Sequence, residues 1–214
     1  ISYASCGLPY YIGGTIEKRK KLFVQTPESF SKRFNIDVRV ENEVLKIERG
    51  KKLIHVQNVA TGEQYEEYYD KLVISTGTDP VKPPLRGIDH SRIFTLKNVP
   101  DTDKIKEFID KNNPRRVVII GGGFIGLEMA ENLHDRGIFV TIVEMASQVM
   151  TPLDYEMAAE VQHHLKKHNV EFYLNDAVDY LDSQGEMVVN KKKSGRGIVS
   201  DLVILSIGVK PESR

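Results

Sequence analysis

Residues 116–144 read RVVIIGGGFIGLEMAENLHDRGIFVTIVE, and this stretch decides the fold. A β-branched run at 117–120 meets a glycine turn, a helix-like segment continues to Gly137, and a second β-branched run at 139–143 ends on the acid Glu144. That order predicts one strand-helix-strand unit. Gly121, Gly123 and Gly126 match G-x-G-x-x-G, and Glu144 lies close to the roughly 20-residue distance expected of a ribose-binding acid. Gly121 permits a tight turn, Gly123 lets backbone approach a pyrophosphate, and Gly126 allows close packing of helix on strand. The phosphates of a dinucleotide would face the unpaired N–H groups and positive dipole end of the helix N-terminus. Glu144 can accept from both ribose hydroxyls of the adenosine half and would repel a 2′-phosphate; no basic residue directly follows it, which favours NADH over NADPH. The alternative reading is a glycine-rich turn in an α/β domain that binds nothing.

The 214 residues suffice for one large or two small domains, and an apolar fraction of 40% is enough to fill a core. Thirty basic residues balance thirty acidic ones, so no bulk charge points to nucleic acid or membrane surfaces. The apolar runs are strand-sized and no charged-then-apolar leader is visible, making a cytoplasmic protein the expectation. With a single cysteine, Cys6, no intrachain disulfide framework can form, and attention moves to thiol reactivity. Opening on Ile1 and stopping shortly after an apolar run at 202–207, the chain reads as a fragment of a longer protein.

From the start, Pro9 closely follows Cys6 and Gly7, placing Cys6 at or just before a helix N-terminus, where the dipole favours thiolate. The competing reading is an inert, small core residue. The basic run at 18–21 is either a solvated face or a counter-charge for ligand phosphates. Thr26 and Pro27 announce a helix as N-cap and first residue. Alternation over 36–70, with turns at 49–51 and 60–62, predicts an antiparallel meander with His55 on a strand face. Residues 69–77 predict a strand ending in a small-residue turn, and the proline-rich 78–100 an extended linker. Ile105, Phe108 and Ile109 mark a helix over 101–112. Beyond the dinucleotide unit, Met157, Val161 and Leu165 predict one helix face; His163, His164 and His168 are rejected as metal ligands for want of a shared face. Further strands are expected at 170–174, 187–189 and 202–207, with turns at 184–185 and 191–197.

Taken together, residues 2–11 (SYASCGLPYY), 72–77 (LVISTG), 121–131 (GGGFIGLEMAE), 150–158 (MTPLDYEMA) and 204–211 (ILSIGVKP) resemble the flavoprotein disulfide reductases. The similarity is to their single-cysteine branch, which holds coenzyme A disulfide reductase, NADH oxidase and peroxidase, and NAD(P)H-dependent persulfide reductases. The resemblance implies an α/β architecture: 1–79 as a partial FAD-binding domain with the meander and Cys6, 80–100 as linker, and 101–214 as a Rossmann-like NAD-binding domain. FAD and NADH are the implied cofactors, and a small-molecule disulfide or persulfide, with no nucleic acid or membrane partner, the implied substrate. The parent protein is implied to be a homodimer.

Residue by residue, the resemblance makes Cys6 the redox-active residue and assigns cofactor contacts to Thr76, Gly77, Gly121, Gly123, Phe124, Ile125, Gly126, Glu128, Glu144 and Gly208. Phe124 stands where the family has a flavin-gating aromatic, and Glu128 matches its helix acid near the flavin. Ser2 matches a serine near bound coenzyme A, whose phosphates could meet Lys18 and Arg19. Ser5 and Gly7 flank Cys6 where Asn is common in relatives. Having no second cysteine, Cys6 would cycle through a mixed disulfide with a thiol such as coenzyme A, or through a sulfenic acid as in an NADH oxidase or peroxidase. The block at 150–154 most resembles the coenzyme A disulfide and persulfide reductases, many of which carry a rhodanese domain. For the isolated chain, an inactive NAD-binding module is the alternative.

Overall fold

In a computed structural model of the chain, residues 2–184, 187–192, 194–195 and 197–212 are described. The chain divides into two compact units, one of residues 1–3 and 23–76, the other of residues 4–22 and 77–214. Both combine helices with sheets, and the α/β class expected from the sequence holds.

The first unit contains the predicted meander, with Asn42–Glu48, Leu53–Asn58 and Gln64–Tyr68 paired antiparallel in that order. Glu48 ties it together, taking hydrogen bonds from Lys51 (2.9 Å), Lys46 (3.0 Å) and His55 (3.1 Å). Those bonds hold its carboxyl down at about 2. The helix Pro27–Phe34 starts as the sequence predicts: Thr26 and Ser29 exchange side-chain-to-backbone bonds in a capping box. Residues 69–77, expected as a strand, form none. Apolar β-branched residues define a strand only when another strand accepts their hydrogen bonds, and Val73 and Ile74 instead stand exposed.

The second unit is built on a five-stranded parallel sheet in the order Glu171–Tyr173, Phe139–Val143, Arg116–Ile120, Leu202–Leu205, Ile93–Thr95. Its central strands are buried on both faces, which explains why they read as unbroken apolar runs. Val118, Ile120, Val143, Val203 and Leu205 pack with Val178 and Leu181 into one core. The helices Val99–Asn112 and Phe124–Asp135 pack on the sheet, burying Ile105, Ile109, Met129 and Leu133. A three-stranded antiparallel sheet, Val178–Gln184, Met187–Lys192 and Gly197–Ser200, completes the unit; of the turns expected at 184–185 and 191–197, Gly185, Lys193 and Arg196 lie outside the described residues.

The expected linker at 80–100 is instead part of this unit. Ile93–Thr95 forms the sheet's edge strand, Leu85 and Ile88 pack against the core, and Leu96 is buried. Prolines in this stretch fix an extended backbone but do not stop the intervening apolar side chains from being buried. Pro100 belongs to the first turn of the following helix, which starts at Val99 under an Asn98 cap, earlier than expected. In the helix Tyr155–Lys167, Leu165 is buried and Val161 half-buried as expected, but Met157 faces solvent and Ala158 takes its place in the core. His164 and His168, one turn apart, do share a face, with ring centroids 4.3 Å apart. Only His163 obeys the face argument made above.

Candidate active site

The site begins where strand order reverses. Beside Arg116–Ile120 the chain continues outward to one neighbour and returns much later at Leu202–Leu205 on the other, opening a crevice at the strands' carboxyl ends. A cleft of about 660 Å³ lies there, lined by Gly121, Gly123, Phe124, Ile125, Glu144 and Gly208 among others. Thus most of the cofactor residues predicted from sequence converge on one cavity.

Each glycine has a separate physical reason. Gly121 sits at φ +106°, and a Cβ there would lie 2.4 Å from the Ser206 carbonyl oxygen. Ser206 Oγ donates to the Gly121 carbonyl at 2.8 Å and to that of Ile120 at 3.1 Å, stapling the turn to the neighbouring strand. A Cβ on Gly126 would meet the Gly121 carbonyl oxygen at 2.1 Å, so helix and turn touch through bare backbone. Gly123 differs: nothing lies within 4 Å of its would-be Cβ. It is the N-cap residue of the helix Phe124–Asp135 and, as glycine, supplies no side-chain cap. That puts open space beside the N–H groups of a helix's first turn, which suits a pyrophosphate. Glu144 is preorganised by backbone: Gly122 N–H donates to Oε2 at 2.7 Å and Ala146 N–H to Oε1 at 2.8 Å. Lone pairs remain on both oxygens for ribose hydroxyls. Met150, at φ +50°, donates its N–H to the Gly122 carbonyl at 2.8 Å and braces the turn from behind.

Cys6 is exposed in the short helical turn Ser5–Gly7, followed by the helix Leu8–Gly13 with Pro9 in its first turn. This is the placement expected from Pro9. Ser206, Tyr10 and Glu131 escaped the sequence reading. Glu131, then burial, Glu128 and Cys6, push the Tyr10 phenol above its ordinary value. Burial first, and then Glu131, raise the Glu128 carboxyl. Helical spacing held the missed signal: Tyr10 is one turn past Cys6, and Glu131 one turn past Glu128.

The whole of residues 1–214 matches the family model described as pyridine nucleotide-disulphide oxidoreductase. The chain belongs to that family. It is 35% identical over 214 residues to the coenzyme A disulfide reductase of Staphylococcus aureus strain JH9, covering 100% of this chain and 47% of that protein. The crystal structure of reduced Bacillus anthracis CoADR-RHD superposes with a TM-score of 0.93 at 56% identity, covering 99% of this chain and 38% of the other. A NAD-dependent persulfide reductase from A. fulgidus gives a TM-score of 0.91 at 35% identity, covering 100% and 40%. The chain therefore spans about half the length of the curated relatives it matches.

Membership in this oxidoreductase family implies FAD and a nicotinamide nucleotide, and the cleft fits the latter through its open Gly123 and preorganised Glu144. Gly77 and Gly208 have left-handed φ of 78° and 108° with open space over their Cα atoms, which suits close ligand approach. Thr76 lies exposed at the end of the first unit, whereas Glu128 borders a separate groove with Glu131 and His164. Ser2 is exposed in the strand Ser2–Tyr3, paired with Gln25. Lys18 is exposed, while Arg19 makes a close fork on Asp103, with Nε at 2.9 Å and 3.0 Å from its two oxygens. Among the described residues, no helix is long and apolar enough to cross a membrane.

Proposed function

We propose that the protein is an FAD- and NADH-dependent reductase of coenzyme A disulfide or of persulfides, working through Cys6. The observation that carries this reading is the placement of the sole cysteine, exposed at the start of a helix within the unit that holds the nucleotide cleft. The names of the Staphylococcus aureus and A. fulgidus relatives support the substrate class.

In this reading the Cys6 thiolate attacks one sulfur of the substrate disulfide, forming a mixed disulfide and releasing the other half as thiol after protonation. Two electrons from NADH then cleave that bond, regenerating the Cys6 thiolate and freeing the second thiol. A bound flavin would supply the path between the two. The Gly123 helix end holds the pyrophosphate, Glu144 the adenosine ribose, and Phe124, 63% exposed at the cleft, covers the nicotinamide end. Lys18 contacts the phosphates of coenzyme A. Arg19 joins it by exchanging Asp103 for a phosphate.

Mass analysis of the purified full-length protein tests this. A coenzyme A adduct on Cys6 that NADH removes is the expected result; an oxygenated Cys6 with rapid oxygen consumption would instead place the protein with the NADH oxidases and peroxidases. Nucleotide preference supplies a second prediction. Glu144→Gln removes the charge that accepts the ribose hydroxyls and repels a 2′-phosphate, so NADH binding should weaken about tenfold or more while NADPH binding holds or improves. Isothermal titration with both nucleotides reads the outcome, and an unchanged NADH to NADPH ratio would refute the role of Glu144.

A further inference from the structure

The helix that follows Cys6, Leu8–Gly13, has only six residues. A helix that short cannot hold its own conformation in water, so its position must be set by what it touches. Leu8 and Ile12 are buried, and the helix packs on both Val99–Asn112 and Phe124–Asp135. Its last turn is held from outside. Arg136, at the end of the nucleotide-binding helix, donates Nη1 to the Ile12 carbonyl at 3.0 Å and Nη2 to Asp110 at 2.6 Å. Burial works to raise the Asp110 carboxyl, but the bonds and charges of Arg136 and Lys106 together hold it below its ordinary value. Beside this bond Gly13 lies against Asn132, where a Cβ would fall 2.3 Å from Oδ1, and Asn132 is itself buried and donates to the Glu128 carbonyl at 2.8 Å. Through Arg136 and Asn132, the helix that starts at the Gly123 turn also anchors the helix that follows Cys6.

We propose that Arg136 is a positioning residue for Cys6: by capping the Ile12 carbonyl while paired to Asp110, it fixes the helix Leu8–Gly13, and with it the Ser5–Gly7 turn that leads into it and holds Cys6, against the helix Phe124–Asp135. The proposal rests on the function proposed above for Cys6. Arg136 lies outside the cleft lining, and its side-chain hydrogen bonds go to Ile12 and Asp110.

The test uses the full-length, flavin-loaded protein. Arg136→Gln should lower NADH-driven reduction of coenzyme A disulfide about tenfold, with reduction of ferricyanide, which needs no thiol, kept within about twofold. Amide exchange over residues 8–14 should rise about tenfold, with exchange over the sheet strands unchanged. The pH profile of Cys6 alkylation by iodoacetamide should shift as well. Arg136→Lys, which can keep the bond to Ile12, should recover part of each effect. Parallel loss of both activities marks a merely structural residue and overturns the proposal, as does wild-type exchange over residues 8–14 in Arg136→Gln. If the wild-type protein reduces no disulfide, the proposed function fails, and exchange and alkylation then decide the role of Arg136 by themselves.

Discussion

Gly126→Ala should collapse the nucleotide site while Gly123→Ala should leave the fold standing. The added methyl at 126 would sit 2.1 Å from the Gly121 carbonyl oxygen and 2.8 Å from Ser206 Oγ. The first neighbour is backbone, itself bonded to Ser206, so relief requires the helix to move off the turn. Overpacking of this kind costs about 3 kcal/mol. Alanine's better helix propensity returns at most about 1 kcal/mol, so the clash wins. For a chain of this size the net loss corresponds to roughly 4–8 °C in Tm, and nucleotide binding should be lost with the turn. At 123 the methyl meets nothing and φ is −82°, which alanine accepts. Stability should change by less than about 1 kcal/mol. Nucleotide affinity should nevertheless fall about tenfold or more, because the methyl occupies the approach to the helix N–H groups. Thermal melts and nucleotide titrations on the two variants check this, and equal effects at both positions would contradict the separate roles given to the glycines.

Cys6→Ser should reduce disulfide turnover by about a thousandfold or more, since a serine hydroxyl is almost fully protonated near neutral pH and cannot form a mixed disulfide. Its effect on stability should stay within about 0.5 kcal/mol, because Cys6 is exposed and the exchange is nearly isosteric. The readout is the steady-state rate with coenzyme A disulfide beside a thermal melt. Retention of more than about a tenth of the wild-type rate would show that the electrons reach the substrate without this thiol.

What was legible in the sequence is what local chemistry decides. The turn at Gly121, the helix start at Gly123 and the acid at the end of the next strand are consequences of backbone sterics and of strand and helix periodicity, all within residues 116–144. The capping box at Thr26 and the helix start near Cys6 belong to the same class. Predictions failed where a distant segment makes the choice. Residues 80–100 look like a linker until the sheet edge at Leu202–Leu205 accepts Ile93–Thr95. Residues 69–77 look like a strand, but pairing rather than composition makes one. The basic run holding Arg19 reads as a solvated face or a counter-charge for phosphates, and the bond from Arg19 to Asp103 spans 84 residues of chain.

The sequence alone determined the family, the glycine turn at 121–126 and the single thiol, because each rests on residue types at short, rigid spacing. Only the tertiary structure decided which residues hold those pieces in register. Ser206 on the Gly121 turn, Arg136 on the Ile12 carbonyl and Glu131 beside Tyr10 meet their partners across 85, 124 and 121 residues. No local pattern encodes such meetings, since they exist only once the parallel sheet has brought its helices together.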